Sequence, residues 1–201
     1  MINIAVLVSG GGTNLQALID AQKKGIIKSG TIKLVLSSND KAYALKRAED
    51  NHIKTATIKS NAFSDQDEYD DELLRTLAKN EIDLVILAGF MTILTSKVIN
   101  AYKNRIINVH PSLIPAFCGK GFYGLKVHEE ALKRGVKVSG ATVHLVTEVC
   151  DGGPILAQKA VDVMDDDTPE VLQKRIMEQC EWVLLPEVTE KVCQKIEKGE
   201  I

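Results

Sequence analysis

The chain has 201 residues, 45% of them hydrophobic, and a formal net charge of −2. This length fits one domain, residues 1–201, that buries its own core without metals or disulfides. No long run of one charge sign occurs. The composition therefore excludes a basic surface for nucleic acid and disfavours binding to an anionic membrane.

The cysteines and the N-terminus indicate the compartment. No C-x-x-C pair occurs among Cys118, Cys150, Cys180 and Cys193, so we expect reduced thiols in a reducing environment. The apolar run at residues 1–8 lacks a basic leader and is too short for a signal peptide or a membrane span. We therefore expect a cytoplasmic protein.

In the first half of the chain, short apolar runs alternate with helical patterns. These runs lack polar alternation, so buried parallel strands are predicted at residues 4–8, 32–36 and 82–87. A short strand is also predicted at 55–58. Helices are predicted at residues 15–24, 42–51 and 65–79. This order predicts an α/β fold: an open, twisted, mostly parallel sheet with helices on both faces and a Rossmann-like N-terminal half.

The second half has a different pattern. Strands are predicted at residues 106–109, 141–146 and 155–163, and the last two are expected to pair antiparallel through the turn at 147–153. A long loop runs from His110 to about Gly124. The final helix begins at Thr168-Pro169-Glu170, a cap followed by proline at the first helical position, and Pro186 is expected to kink or split it.

The first predicted strand ends in Ser9-Gly10-Gly11-Gly12-Thr13-Asn14-Leu15. Glycines allow a sharp turn and close approach of a ligand, and the following helix presents free N–H groups to an anion. Leu15 replaces the third glycine of a dinucleotide fingerprint, and no lysine follows as in a Walker loop. The loop suits a single phosphate, although a tight turn that binds nothing is the alternative.

Polar residues follow other strand ends, where ligands bind in parallel sheets. Alternation places Asn108 and His110 on one side of a strand, and the turn at residues 151–154 can return Asp151 to them. An amide, an imidazole and a carboxylate can stabilise an oxyanion and move protons. No serine or cysteine is positioned by a base, so a substrate amine would attack directly. The apolar residues 87–94 suit a flat aromatic ring.

Structural roles compete with each of these interpretations. Asn or His at a strand end is more often a capping group, and Asp-Gly-Gly is an ordinary turn. Ser112 is expected to anchor a loop, and His144 to be either a buried structural residue or a pocket wall. His52 and His128 are expected at the surface. The histidines and cysteines never pair at short range, so no metal site is predicted.

Residues 108–117, with 9–15, 87–94 and 151–155, resemble the folate-dependent formyltransferases, and the resemblance covers nearly the whole chain. It is strongest to the branch that formylates the glycinamide amine of 5'-phosphoribosylglycinamide in purine synthesis. The resemblance implies two small-molecule substrates, that one and 10-formyltetrahydrofolate, with no metal, no nucleic acid, no membrane, and a monomer or homodimer.

The resemblance also assigns roles to matching positions. Asn108, His110 and Asp151 match catalytic residues: Asn108 touches the formyl donor, His110 donates a proton, and Asp151 favours the protonated form of His110. The remaining matches are phosphate contacts (Gly12, Thr13, Asn14), a substrate contact (Glu181), folate contacts (Met91, Thr92, Ile93, Leu94, Gln66) and residues near the formyl group (Thr142, His144).

Four positions depart from the family pattern. Thr92 and Gln66 stand where some members have arginine, and Glu178 replaces a neutral or basic residue. Residues 118–124 replace a shorter, proline-containing loop.

Other functions stay open. One is another 10-formyltetrahydrofolate-dependent formyltransferase or a formyltetrahydrofolate hydrolase, although the first strand begins so early that we expect no regulatory domain before it. Another is a non-catalytic folate- or nucleotide-binding module, which would not need Asn108, His110 and Asp151 together.

Overall fold

The computed structural model describes residues 1–201. Its strands are β1 (Ile2–Val8), β2 (Gly30–Ser37), β3 (Lys54–Thr57), β4 (Leu84–Leu87), β5 (Ile106–His110), β6 (Val138–Leu145) and β7 (Ile155–Asp162). They form one sheet in the order β3-β2-β1-β4-β5-β6-β7. The first five strands pair in parallel, whereas β6 and β7 each run antiparallel to the preceding strand. The mostly parallel sheet with antiparallel C-terminal strands is therefore confirmed.

The helices are α1 (Thr13–Lys23), α2 (Tyr43–Asp50), α3 (Gln66–Lys79), α4 (Ser96–Ala101), α5 (Leu125–Arg134), α6 (Pro169–Ile176) and α7 (Trp182–Glu197). A 3₁₀ turn lies at Ser60–Ala62 and a π turn at Met177–Glu181. Helices α4 and α5 were not among the predicted elements. No helix is both long and apolar enough to cross a membrane.

Alternate residues of β1 build the two halves of the core. Ile4 and Val6 pack with residues of α1, α2, α6 and α7 on one face of the sheet. Ala5 and Leu7 pack with residues of α3 and α4 on the other face. The continuous apolar run of β1 follows from this position, since a strand covered on both faces has no side that favours polar residues.

The C-terminal helix is interrupted at a different place from the one predicted. The break is the π turn Met177–Glu181, and α7 continues through Pro186. Pro186 stands near the start of α7, where its missing N–H removes one hydrogen bond to the carbonyl four residues earlier. The expectation that Pro186 itself splits the helix is therefore wrong.

His128 is also not at the surface. It is fully buried, together with Val127 and Ala131, on the inner side of α5. Its helical context led to the expectation of a surface residue, but the packing of α5 turns His128 inward. His52 is exposed, as expected.

Candidate active site

Most of the predicted site residues lie at one edge of the sheet, in or next to the loops after β1, β4 and β5. β1 and β4 are neighbours in the sheet although β2 and β3 separate them in the chain, so the strand order reverses between them. Open parallel sheets bind ligands at such a switch point, beyond the carboxyl ends of the strands. The loops after β1, β4 and β5 all begin at this edge. The N–H of Met91 donates to Ser9 Oγ at 2.9 Å and joins the first two loops.

The glycine loop after β1 is shaped by helix α2. Gly12 caps α1 with a φ of 71°, a left-handed conformation that glycine adopts without strain. A Cβ at Gly12 would lie 2.6 Å from the Cβ of Ala44. A Cβ at Gly10 or Gly11 would meet nothing within 4 Å. Protein therefore fills the space beside Gly12, and the open space for a ligand lies at Gly10 and Gly11.

A buried carboxyl group faces the N-terminus of α1. Asn14 Nδ2 donates to Glu181 Oε2 at 2.6 Å, while Asn14 Oδ1 is buried without a hydrogen-bond partner. Thr13 Oγ1 lies 3.8 Å from Met177 Sδ. Burial raises the pKa of Glu181, against a smaller lowering by the Asn14 hydrogen bond. The π turn thus brings Glu181 to the glycine loop. Glu178, in the same turn, is half exposed, and its Oε1 lies 3.9 Å from Lys174 Nζ.

Asn108, His110 and Asp151 form one cluster. The connection between β6 and β7, residues 146–154, folds back over the end of β5 and carries Asp151 with it. Asp151 Oδ2 lies 3.6 Å from His110 Nδ1, and Oδ1 lies 3.5 Å from Asn108 Nδ2. The structure therefore brings together the amide, the imidazole and the carboxylate that the sequence placed in two separate segments.

Both ring nitrogens of His110 face acceptors. Nε2 lies 2.9 Å from the carbonyl oxygen of Phe117, and Nδ1 faces the Asp151 carboxylate. A neutral imidazole has one N–H and an imidazolium has two. A protonated His110 would satisfy both acceptors at once, and either N–H could be transferred to a substrate oxygen that replaces its partner.

Asp151 is ionised at neutral pH. Burial by itself would raise the pKa of Asp151. The hydrogen bond with His144, the charge of His110 and the Gly119 N–H, which donates to Oδ2 at 2.8 Å, outweigh burial and lower the pKa below its usual value. A negative charge therefore stands beside His110 in a place that is almost closed to solvent.

Backbone strain is located at the two partners of His110. Asp151 and Phe117 have φ values of 54° and 49°, a region that costs residues other than glycine about 1–2 kcal/mol. One of these residues supplies the carboxylate and the other the carbonyl that face the imidazole. Strained non-glycine residues often mark functional sites, because the surrounding structure must hold them there.

His144 orients Asn108. His144 Nδ1 lies 2.9 Å from the carbonyl of Leu145 and therefore carries the ring proton when the ring is neutral. Its Nε2 lies 3.2 Å from Asn108 Nδ2 and 3.5 Å from Asp151 Oδ1, so it faces both the amide and the carboxylate. Because the Asp151 carboxylate lies on the same side, the nitrogen of the Asn108 amide points there rather than its oxygen.

Thr142 fixes the start of the loop after β5. Its hydroxyl donates to the Ser112 carbonyl at 2.7 Å and accepts from the Ile114 N–H at 3.1 Å and the Gln158 amide at 2.9 Å. Ser112 Oγ donates to the Ala116 carbonyl at 2.6 Å. The serine is thus a loop anchor, as predicted.

A cavity of about 500 Å³ opens beside the cluster. Its walls include the predicted folate contacts Met91, Thr92, Ile93 and Leu94, together with residues 119–124 and 146–151. Met91 and Ile93 are 54% and 69% exposed, so their apolar side chains are available to a ligand. An apolar wall with a few polar groups at one end is typical of a small-molecule site.

One predicted contact lies apart and others were missed. Gln66 donates to Asp70 at 2.9 Å and does not line the cavity. The Phe117 carbonyl and the Gly119 N–H were not predicted, because no periodicity encodes the path of the loop that positions them. Their only hint was the long loop that contains them. No three His, Cys, Asp or Glu side chains are grouped so that they could hold a metal ion.

Known proteins resemble this chain in sequence and in fold. The formyl transferase family matches residues 2–189. The chain belongs to this family. The phosphoribosylglycinamide formyltransferase of Escherichia coli K12 is 40% identical to this formyl transferase over 178 residues, which are 89% of this chain and 81% of that protein. The chloroplastic phosphoribosylglycinamide formyltransferase of Vigna unguiculata is 37% identical over 96% of this chain, which spans 61% of that relative.

A crystal structure of glycinamide ribonucleotide transformylase 1 from Symbiobacterium toebii has a TM-score of 0.90 and 40% identity to this formyl transferase. The match covers 96% of this chain and 88% of that one. The seven-stranded sheet is therefore the fold of the solved family members.

Proposed function

We propose that this protein transfers the formyl group of 10-formyltetrahydrofolate to the glycinamide amine of 5'-phosphoribosylglycinamide. The observation that carries the proposal is the cluster of Asn108, His110 and Asp151. It lies at the same edge of the sheet as a glycine loop suited to a phosphate and an apolar cavity suited to a flat ring. The names of the relatives in Escherichia coli and Vigna unguiculata support the same activity.

The lining of the cavity suits a folate, which has a flat ring and a charged tail. In the wall from Met91 to Leu94, the exposed side chains of Met91 and Ile93 are apolar, and Thr92 adds one hydroxyl. Lys120 is the only lysine or arginine on the cavity wall and suits the carboxylates of a glutamate tail. When bound, the folate supplies the formyl carbon that the amine attacks.

The cluster has a division of roles. We assign to protonated His110 the donation of a proton to the oxygen that becomes negative as the amine attacks. Asn108 orients this oxygen through its amide N–H. Asp151 stabilises the positive charge of His110. Thr142 and His144 act indirectly, by holding the loop after β5 and the Asn108 amide.

Direct attack by the substrate amine agrees with the lack of an activated nucleophile. Ser112 Oγ already donates to a backbone carbonyl. Burial and the nearby Asp151 charge raise the pKa of the Cys118 thiol and of the Cys150 thiol. Both thiols are therefore protonated at neutral pH and are poor nucleophiles.

The test is to mix the protein with 10-formyltetrahydrofolate and 5'-phosphoribosylglycinamide, follow released tetrahydrofolate by absorbance, and identify the formylated product by mass spectrometry. We expect product only when both substrates are present. Folate deformylation without an amine would indicate a hydrolase. Turnover with a different amine would indicate another formyltransferase, and binding without turnover would indicate a non-catalytic module.

A further inference from the structure

The glycine loop lacks a cation of its own. Residues 9–14 contain no lysine or arginine, and the loop offers only backbone N–H groups and the positive end of α1. A helix N-terminus is equivalent to roughly half an elementary charge, whereas a phosphate ester carries about −1.5 to −2 at pH 7. A full positive charge from another segment would complete such a site.

Arg47 of α2 brings that charge to the loop. Its Nε donates to the carbonyl oxygen of Gly11 at 2.8 Å, and its Nη1 donates to Gln16 Oε1 at 3.1 Å. The guanidinium carbon also lies 5.0 Å from the centre of the Tyr43 ring. Three contacts therefore hold the guanidinium in place, and it still has further N–H groups to donate.

The charge of Arg47 is not neutralised within the protein. The ion pairs of this structure include Arg75 with Glu72 and Arg175 with Asp167, but none includes Arg47. Its two hydrogen-bond acceptors, a carbonyl and an amide oxygen, are uncharged. A half-buried cation without a carboxylate beside it favours an anionic ligand.

Helix α2 also sets the direction of the loop amides. The Ala44 N–H donates to the Gly10 carbonyl at 3.1 Å, and Arg47 Nε donates to the Gly11 carbonyl. In a trans peptide the C=O and the next N–H point in opposite directions. The N–H groups of Gly11 and Gly12 therefore point away from these two donors, and neither makes a backbone hydrogen bond.

We propose that Arg47 is a phosphate-positioning residue: it holds the Gly11 carbonyl so that the loop amides face the substrate phosphate, and it supplies the missing positive charge. The inference rests on the proposed function, because that function provides the phosphorylated substrate. It adds a residue from outside the glycine motif to the phosphate site.

The experiment compares Arg47→Gln and Arg47→Lys with the wild type. Arg47→Gln should raise the KM for 5'-phosphoribosylglycinamide roughly 10- to 100-fold, the effect of losing one charged hydrogen-bond partner. The kcat and the KM for the folate should stay within about 3-fold of wild type, given ordinary mutational scatter away from the chemistry. Arg47→Lys keeps the charge but not the planar fork and should lie between the two.

Two controls separate this role from a merely structural one. Arg105→Gln removes another half-buried arginine that stacks on a tyrosine, Tyr102 at 5.6 Å, and it should leave both KM values unchanged. The glycinamide riboside without phosphate should be used equally poorly by wild type and Arg47→Gln. An unchanged KM for the phosphorylated substrate in Arg47→Gln overturns the proposal while leaving the proposed function intact.

A binding measurement keeps the inference testable if no formyl transfer is found. Ribose 5-phosphate should shift the amide NMR signals of Gly11 and Gly12 in the wild type, and Arg47→Gln should need a much higher concentration for the same shift. Absence of a shift in the wild type, or equal binding by the folded variant, overturns the role of Arg47. Absence of formyl transfer alone overturns only the proposed function.

Discussion

The proposed site has two ends, which are built from different parts of the chain. The backbone end is the glycine loop at residues 9–14, and the side-chain end is the cluster of Asn108, His110 and Asp151. The glycine loop presents backbone groups at the end of β1, and its neighbour α2 follows within a few dozen residues. The cluster around His110 presents side chains from β5, β6 and the connection after β6. These segments are far from the glycine loop in the chain, and the fold has to bring their side chains together. The loop therefore depends on backbone conformation, whereas the cluster depends on charge and on a loop that folds back.

Removing the imidazole should have the largest effect at the side-chain end. His110→Ala should lower kcat by roughly 10²- to 10⁴-fold, the range for loss of a general acid or base. The KM values should change much less, since in the proposed mechanism His110 acts on the oxygen that becomes charged during the reaction. Steady-state kinetics would measure both, with the exposed His52→Ala as the control. A kcat within 10-fold of wild type would remove His110 from the chemistry.

At the backbone end, two neighbouring glycines should respond differently. Gly12→Ala forces a Cβ against Ala44 at 2.6 Å and strains a φ of 71°. It should lower the free energy of unfolding by about 1–3 kcal/mol, as overpacking and left-handed strain do. Gly11→Ala meets no protein atom within 4 Å and should unfold like the wild type.

The same two variants also test where the phosphate binds. The methyl group of Gly11→Ala would enter the open space at the loop and should raise the KM for 5'-phosphoribosylglycinamide, with the folate KM unchanged. Thermal unfolding and steady-state kinetics of both variants would check this. If Gly11→Ala binds the substrate as the wild type does, the phosphate does not lie against this part of the loop.

Asp151→Asn tests the electrostatic part of the cluster. Asparagine tolerates the positive φ of Asp151, so the fold should be kept while the charge beside His110 is lost. An ionised Asp151 favours the imidazolium, so the variant should lose activity at a lower pH than the wild type. A shift of one pH unit corresponds to a kcat about 10-fold lower on the alkaline side. NMR titration of His110 in both proteins measures the shift directly, and an equal or higher midpoint in Asp151→Asn would contradict the electrostatic role.

Local patterns predicted the backbone end well. The apolar run of β1, the glycines after it and the helix that follows are all recorded in consecutive residues. Their structural consequence is also local, so the strand, loop and helix are where the sequence placed them. What the sequence lacked was the partner of Gly12: the contact with Ala44 depends on how α2 packs on the loop.

The side-chain end was predicted only in part. Residue types and alternation placed Asn108 and His110 on one side of β5. The partners of His110 and Asp151 that come from the backbone, the Phe117 carbonyl and the Gly119 N–H, depend on the path of a long loop that no periodicity encodes. His128 was misplaced for a related reason, since the inward face of α5 is set by its packing.

His128 gives the smallest expected effect and tests how the side-chain end is supported. Burial, with a smaller contribution from the charge of His110, lowers the pKa of His128 to about 4. Its ring nitrogens have no hydrogen-bond partners. In the unfolded chain a histidine has a pKa of about 6.5, so the unfolded state binds the proton more strongly. The stability of the folded state should therefore fall as the pH drops from about 6.5 towards 4.

His128→Leu should remove this pH dependence while keeping the buried volume nearly constant. Between pH 8 and pH 6 the wild type should lose about 1 kcal/mol of unfolding free energy through His128, as the two pKa values and the linkage relation require. The variant lacks this loss, so its free energy of unfolding should rise by the same amount relative to wild type. Denaturant unfolding at both pH values would measure the difference, and groups such as Asp151 titrate in both proteins and so largely cancel. His52→Leu, at an exposed position, should show no such gain. A difference between His128→Leu and wild type that stays constant from pH 8 to pH 6 would mean that the folded protein accommodates a protonated His128 beneath the site.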